Sequence, residues 1–541
     1  MEGNPTYINK IGSYPGYAPL GQLTRSSYRR WHLGGWFEDD YKVQQKLTLN
    51  LGFRYEYNSV PYEVRGVTRG IVDDPDFKGG SLYRQVVVHA APLYFPDYHG
   101  FGPRFGLAYS LSSKTVFRGG FGIFTNLPLT QTADQQTFGY TAVAVGLPNP
   151  NFPFSLTPTP LNLPAATDKA GNVLPPGGNL KNVPPNDPLD LRPIAEYLGN
   201  PVVVGSTDMH LRNGYTMAGN VTLERELGWD SVWQMSYVMN NAVRLYSSWY
   251  PNAYAGAETQ YTPYSIANPG LGEVQLTSNQ GHSTYNALQL LLRKNSSRSG
   301  LTYQFAYTWS KSIDNATTVF NGPATDSAAL QNNPTCTSCE KADSANDVPQ
   351  RFVLNAMYDL PLAKLTHHPG RLFDGWQLNG IYQIQKGNPF TVNSPFGTAQ
   401  YGSDEYIGFQ GTRPDLVQMP TRNSKKGPQF FSNAVVTDGS NLGQQYFSTP
   451  GALTTGLQDH PGNLSRNTFR ADHFSNTDLS LIKNTRITEG KILQIRAEFF
   501  NAFNQHAFGA PGAELGSAGF GQSGGTVLAE RQIQFGARMT F

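Results

Sequence analysis

Along Gly300–Ala316, GLTYQFAYTWSKSIDNA, apolar and polar side chains alternate one by one. Leu301, Tyr303, Phe305, Tyr307 and Trp309 fall on one side, and Thr302, Gln304, Ala306, Thr308 and Ser310 on the other. A period of two predicts a β-strand with one apolar face and one small, polar face. The pattern recurs. In QKLTLNLGFRYEY, Leu47, Leu49, Leu51, Phe53, Tyr55 and Tyr57 oppose Thr48, Asn50, Gly52, Arg54 and Glu56. In RFVLNAMYDL, Phe352, Leu354, Ala356, Tyr358 and Leu360 alternate with Arg351, Asn355 and Asp359. In GWQLNGIYQIQKG, Trp376, Leu378, Tyr382 and Ile384 face away from Gln377, Asn379, Gln383 and Gln385. The chain closes on RQIQFGARMTF, where Ile533, Phe535, Ala537, Met539 and Phe541 form an unbroken apolar stripe against Gln532, Gln534, Gly536, Arg538 and Thr540.

About thirteen such strands are predicted, with cores at 31–43, 45–57, 103–111, 115–125, 212–226, 231–244, 284–294, 300–313, 350–360, 374–387, 475–485, 490–503 and 530–541. Many are longer than the five or six or so residues usual in globular sheets. They reach or exceed the roughly 9–11 residues that cross a bilayer at a tilt. Their connections alternate between short turns and long segments at 58–102, 126–211, 245–283, 314–349, 388–474 and 504–529, rich in Pro, Gly, Asn and Ser. Compact soluble domains rarely carry irregular loops of that length. Short turns on one rim and long loops on the other predict an all-β, transmembrane, antiparallel up-and-down barrel, with long extracellular loops and short periplasmic turns. The competing architecture is a soluble sandwich, propeller or solenoid, which calls for more inward aliphatics and regular blade spacing. Aromatic placement favours lipid: Tyr55, Tyr57, Tyr307 and Trp309 sit at long-loop ends, and Trp233, Trp376 and Phe541 near the short-turn rim, as two interfacial girdles require.

Composition sharpens this picture. Of 541 residues only 15% are charged and 39% hydrophobic, while Tyr (29), Phe (31) and Trp (7) are abundant. Globular proteins carry roughly 25% charge. A chain with lipid on one face and a wet lumen on the other needs less of both core aliphatics and surface charge. A net charge of +2 without a basic block argues against nucleic acid as a partner. No run of about 18 apolar residues predicts a spanning helix, and the first twenty or so residues lack the charged and apolar regions of a secretory signal.

Seven segments carry a family resemblance: Phe37–Tyr57, Gly102–Phe124, Tyr285–Lys294, Tyr307–Ala316, Gly375–Val392, Leu493–Gly509 and the terminal RQIQFGARMTF. In this order they resemble the C-terminal barrel of TonB-dependent outer-membrane receptors, most closely the Oar-like subgroup with its carboxypeptidase-regulatory-like domain. The resemblance implies residence in the outer membrane of a Gram-negative bacterium. It also implies a role in uptake of a scarce solute, such as a glycan fragment, peptide or metal chelate. Such receptors have a plug domain and about 22 strands; neither a plug motif nor a TonB box is found here, so residues 31–541 correspond to the C-terminal part of the barrel. Contact with the TonB complex is expected only through an upstream plug. Residues 1–30 are read as an extracellular loop remnant or an upstream strand. An odd strand count places the two ends of the barrel on opposite rims, whereas a closed bacterial barrel has an even number, so at least one further strand is expected upstream. Family members end in a strand with a terminal Phe that the barrel-assembly machinery recognises, and Phe541, with Met539, Phe535 and Ile533, matches it.

Candidate chemistry is sparse, and no enzyme is predicted. Cys336 and Cys339 form CTSC in the loop at 314–349. A local disulfide fits an oxidising compartment; a redox pair lacks its βαβ context and a metal site lacks a second ligand pair. Asp73–Gly80 begins like a calcium loop, but Lys78 and Gln85 stand where oxygen ligands belong. The glycines of RGGFGIF, Arg118–Phe124, lie within a strand, where they permit bending or leave lumen space rather than bind phosphate. Arg54, Glu56, Gln304, Asn355, Gln383, Gln494, Arg496, Glu498 and Arg538 are predicted to face the lumen, either as a solute path or as a mutually satisfied wall. Two functions stay open: the barrel of an active uptake receptor, or a surface interaction protein whose long loops bind a polymer, with the barrel as anchor or passive pore. No cofactor is expected.

Overall fold

The alternating segments become strands because each pairs its backbone with the segment before and after it. In the computed structural model the described residues are 28–63, 94–126, 202–249, 271–295, 299–315, 336–367, 370–393, 413–420, 428–431, 446–448 and 462–541, with short pieces at 8–10, 70–71, 86–87 and 142–144. Thirteen long strands follow the chain: β1 (His32–Gln44), β2 (Leu47–Asn58), β3 (Phe101–Ser112), β4 (Thr115–Thr125), β5 (Tyr215–Leu227), β6 (Ser231–Trp249), β7 (Leu271–Lys294), β8 (Leu301–Asp314), β9 (Gln350–Leu360), β10 (Trp376–Gln385), β11 (Phe474–Thr488), β12 (Lys491–Phe500) and β13 (Gln532–Thr540). They form one sheet in which every strand lies beside its sequence neighbours, from β1 at one edge to β13 at the other. All of these neighbouring pairs are antiparallel. This is an outer-membrane-type up-and-down β-barrel sheet, open between β1 and β13.

Register carries one face across all thirteen strands. Phe305 lies opposite Leu292 and Leu354, Leu354 opposite Tyr382, and Ala497 opposite Leu481 and Phe535. Residues directly opposite share a face, so these apolar positions belong to one continuous outer surface. That surface covers no protein core. Phe53, Phe105, Phe121, Met235, Ile495 and Phe535 are among its exposed members, Phe535 at 77%. The buried apolar clusters among the described residues lie instead beyond the strands, at the long-loop end. A soluble protein would bury its strand faces and expose its loops; this fold does the reverse.

The short turns need backbone that few residues supply. Trp229 and Asp230, in the three-residue turn Gly228–Asp230 between β5 and β6, both take positive φ (63° and 59°), which lets so short a connection reverse the chain. Gly375, entering β10, takes φ +76°, and a Cβ there would come within 2.2 Å of the Asn484 carbonyl oxygen. The connection before it contains a one-turn helix, Leu362–Thr366.

Two strands run well past their expected ends. β6 continues to Trp249 and β7 begins at Leu271, where the sequence predicts a loop over 245–283. In this extension Ser247, Ser248 and Trp249 pair with Ser278, Thr277 and Leu276, and Val202–Thr207 adds a parallel strand beside β7. Tyr246 and Leu276 are buried here beside Ser247, Thr277 and Ser278. Above the bilayer neither face meets lipid, so the alternation that marks a strand below is lost.

Facing gives a direct test. Phe305 points outward, its ring 4.8 Å from that of Phe352; Gln304 points inward, opposite Arg293 and Asn355. Phe305→Arg is expected to cost about 2–4 kcal/mol of folding free energy in lipid vesicles, and Gln304→Arg much less. Equal costs in a denaturant titration contradict the assignment of the two faces.

Candidate functional site: inner face and extracellular cap

Register places Arg54, Glu56, Gln304, Asn355, Gln383, Gln494, Arg496, Glu498 and Arg538 on one face of the sheet, opposite the apolar row. Gln304 is paired with Asn355, Gln383 with Val353 and Asn476, and Gln494, Arg496 and Glu498 with Arg538, Gly536 and Gln534. These residues spread over several strands rather than converging on one centre. Arg54 and Glu56 form a local ion pair at 2.6 Å, and Arg496 lies 3.5 Å from Glu498. Gln494 donates to Asn484 Oδ1 at 3.0 Å.

Arginine and small residues alternate across this wall. Arg54 faces Gly102, Arg104 faces Gly52 and Gly122, Arg118 faces Ala108, and Arg496 faces Gly536. The spacing has a steric cause. A Cβ on Gly536 would sit 2.8 Å from Arg496 Nε, and one on Gly122 3.3 Å from Arg104 Cγ. The strand glycines therefore make room for guanidinium groups lying flat along the wall. Arg104 also stacks over Phe124, 4.8 Å from its centroid, and Arg118 reaches Glu224 at 3.4 Å. At the long-loop end of β2–β4, Arg54, Glu56, Arg104 and Phe124 line an inward cleft of about 260 Å³. Arg104 and Arg118 were not among the expected lumen residues, although reading FGPRFGLAYS and TVFRGGFG in steps of two places both inward.

Above the strands, segments from 388–474 and 504–529 pack into a cap. Among the described residues these segments carry only two-residue strands, yet they pack closely. Phe390, Val392, Phe431, Tyr446, Phe447, Leu464, Phe469, Leu515 and Phe520 form a buried core. Phe431 is its hub, with ring centroids 5.4 Å from Phe469, 5.7 Å from Phe520 and 6.0 Å from Phe447. Backbone bonds tie the two segments together: Phe430 N–H donates to the Gly521 carbonyl at 2.7 Å, and Asn393 N–H to the Ala513 carbonyl at 2.9 Å.

A chain of ion pairs fixes a third segment, 336–347, to this cap. Arg413 holds Glu340 through two bonds of 2.7 and 2.9 Å, with both side chains only 4% exposed. Arg466 grips the Asp314 carboxylate and donates to the Asp314 carbonyl at 2.8 Å. Arg470 spans Asp343 and Asp347, and Lys311 reaches Asp343 at 2.5 Å. Four cations thus meet four carboxylates. Burial works to raise the Asp343 pKa, but hydrogen bonds and charge from Lys311 and Arg470 outweigh it and hold the group below its usual value. Cys336 and Cys339 are disulfide-bonded, their Cα atoms 5.4 Å apart. The bridge clips the start of the 3₁₀ turn Thr337–Glu340, and Glu340, the carboxylate held by Arg413, follows it directly. On the other side of the sheet's top, Asp97 accepts from Asn213 N–H at 2.8 Å. That bond and those from His99 overcome burial and depress its pKa.

Among the described residues no group of three or more His, Cys, Asp or Glu is arranged to hold a metal ion. Asp73–Gly80 lies outside the described residues.

Breaking a buried ion pair by neutralising one partner strands the other charge, at about 3–5 kcal/mol. Glu340→Gln is therefore expected to speed hydrogen exchange at 413–416 and 464–470 while leaving β8 and β9 protected. The depressed Asp343 pKa gives the same cap a pH dependence. Its contribution is complete above the ordinary Asp value of about 3.9 and is lost as pH falls through the lower folded value. Uniform exchange in cap and strands on acidification would contradict this.

Residues 11–534 match the Outer membrane beta barrel domain family. No curated protein sequence matches the chain. Among solved structures it is similar to the outer membrane transporter YddB from Escherichia coli, at 11% identity and a TM-score of 0.46, covering 95% of this chain and 45% of that one. It is also similar to the FrpB iron transporter from Neisseria meningitidis (11%, TM-score 0.42, 95% and 46%). A third is the siderophore receptor PirA from Acinetobacter baumannii (9%, TM-score 0.39, 95% and 46%). The chain spans less than half the length of each of these. Because the family match begins ahead of β1 and reaches into β13, the chain belongs to the family of outer membrane β-barrel domains.

Proposed function

We propose that residues 31–541 are the barrel part of a TonB-dependent uptake receptor of the Oar-like kind, passing a scarce polar solute across the outer membrane. The observation that carries this reading is the inner wall: arginines laid against glycines line a charged, roomy surface under a folded extracellular cap. A barrel that only anchored loops would not need that room along its interior. The sequence resemblance in seven ordered segments supports the same reading. Energy coupling comes, in this account, from a plug domain outside these residues, which also supplies the contact with TonB. Further barrel strands would insert between β1 and β13, the two edges of the sheet among the described residues. A glycan fragment, a peptide or a metal chelate fits the polar wall, in which guanidinium groups bind carboxylate or hydroxyl oxygens.

The test is uptake by cells carrying the whole gene product. Depletion of a mixed pool of oligosaccharides, peptides and iron chelates should depend on the protein and on TonB. Arg104→Ala should slow depletion of the responsive solute by about tenfold, the value of one charge-assisted bond, with the amount of inserted barrel unchanged. Solute depletion that ignores loss of TonB, together with lost binding to a surface polymer, would favour the interaction protein instead.

The last strand is proposed to serve assembly. Phe541 is 82% exposed and Phe535, Ile533 and Met539 share its outward stripe. An edge strand of this kind can be captured by strand addition. Deleting Phe541 should lower the yield of membrane-inserted, heat-modifiable protein, whereas deleting Met1–Pro5 should not. Equal yields would remove the assembly role.

A further inference from the structure

One acid interrupts the apolar row of the outer face. Phe37, Glu38, Asp39, Asp40 and Tyr41 follow one another along β1. Their register alternates cleanly: Phe37, Asp39 and Tyr41 stand opposite Phe53, Leu51 and Leu49, while Glu38 and Asp40 stand opposite Gly52 and Asn50. Glu38 and Asp40 therefore face the lumen, where Asp40 accepts from the Asn50 amide. Asp39 faces lipid. A slip of one residue would turn Asp39 inward only by turning Phe37 and Tyr41 inward with it. A strand climbs about 3.4 Å per residue, so Asp39 lies about 17 Å along β1 from Gln44 at the short turn, or about 13 Å across the bilayer at a tilt of about 40°. That is near the middle of an apolar band about 25 Å tall. Other charges of this row stand near its rims, among them Arg225 close to the end of β5, Lys311 beside Asp343 at the long-loop end and Lys483 opposite Trp376, where β10 begins. Asp39 is exposed and has no hydrogen-bond or ion-pair partner among the described residues.

A carboxylate at mid-bilayer calls for a partner of opposite charge, and its place on an edge strand says where the partner stands. β1 bonds to β2 on one side, and its other backbone edge is open among the described residues. We propose that Asp39 is half of an intramembrane ion pair, and that the β-strand adding to this edge carries a Lys or Arg directly opposite it. For the existence of that strand the inference rests on the larger barrel proposed above. Directly opposite side chains of paired strands have Cβ atoms about 4.5–5.5 Å apart, within reach of a direct bond. Two other sources fail on geometry. β13, the other edge, presents Ile533, Phe535, Ala537 and Met539 outward, so closing it on β1 would leave Asp39 without a counter-charge. A second copy packed side by side would bring Arg225, Lys311 or Lys483 to rim height, away from Asp39. The pair would lock register. Apolar rows can slide past one another by two residues and still face lipid, whereas one ion pair within lipid is satisfied in a single register.

The test is a folding titration of the whole gene product in lipid vesicles. Asp39→Leu makes the apolar row continuous. Were Asp39 to meet only lipid, this change would stabilise the barrel. With a partner it strands a cation in lipid, and the folding equilibrium constant should fall by about a hundredfold or more. Asp39→Glu, which keeps the charge, should fold close to wild type, and Phe37→Leu in the same row should have a far smaller effect than Asp39→Leu. Cells expressing Asp39→Lys should lose inserted barrel, and second-site changes that restore it should replace a Lys or Arg by an acid in the strand beside β1. An Asp39→Leu protein as stable as wild type, or more so, would overturn the pair. Restoring changes that fall only elsewhere, in this protein or another, would overturn the assignment to that strand. The readout is folding and insertion, so the result stands apart from whether uptake depends on TonB.

Discussion

Backbone amides and carbonyls inside a bilayer have no water to pair with, and everything else in this protein follows from how they are satisfied. A strand can meet that requirement only by bonding to a strand on each side. The thirteen long strands do so in unbroken sequence order, which fixes the side of the sheet that every side chain faces. With period two imposed by the ladder, a single-residue slip would move an entire apolar row to the wrong side. Among the described residues β1 and β13 form the two edges of this ladder.

What the ladder fixes on one face it leaves free on the other. The outer face is constrained to apolar groups by lipid, with Tyr and Trp near the rims. The inner face is free to carry charge, and it carries arginine beside glycine, so that bulky guanidinium groups fit along the wall. Above the membrane, water satisfies the backbone and the ladder is no longer obligatory. There the protein changes method: an aromatic core and a chain of buried ion pairs hold segments that are far apart in sequence. The Arg470 cluster sits where the two regimes meet, at the tops of β8–β11.

The strands were legible because lipid enforces alternation. Leu301–Trp309 could be assigned a face from letters alone, and so could Arg54, Gln304 and Arg496. Arg104 and Arg118 were equally legible and were overlooked because glycine dominated the reading of their strands. The upper halves of β6 and β7 were not legible, since buried Tyr246 and Leu276 stand among Ser247, Thr277 and Ser278 with no sustained period of two. The cap was invisible for a different reason. Phe390, Phe431 and Phe520 follow no period, and Arg413 finds Glu340 across 73 residues of chain. Nothing local marks either relation; both depend on strands β8–β11 bringing the loop ends together.

The claim on which the account rests is that alternate residues of these strands meet lipid and water. Spin labels placed singly at 301–309 along β8, in the protein reconstituted into bilayers, measure it directly through collision with oxygen and with a water-soluble nickel complex. The account predicts a period of two, with oxygen favoured at 303, 305 and 307 and nickel favoured at 304, 306 and 308. Accessibility that varies smoothly along the strand, or favours nickel at 305, would contradict it.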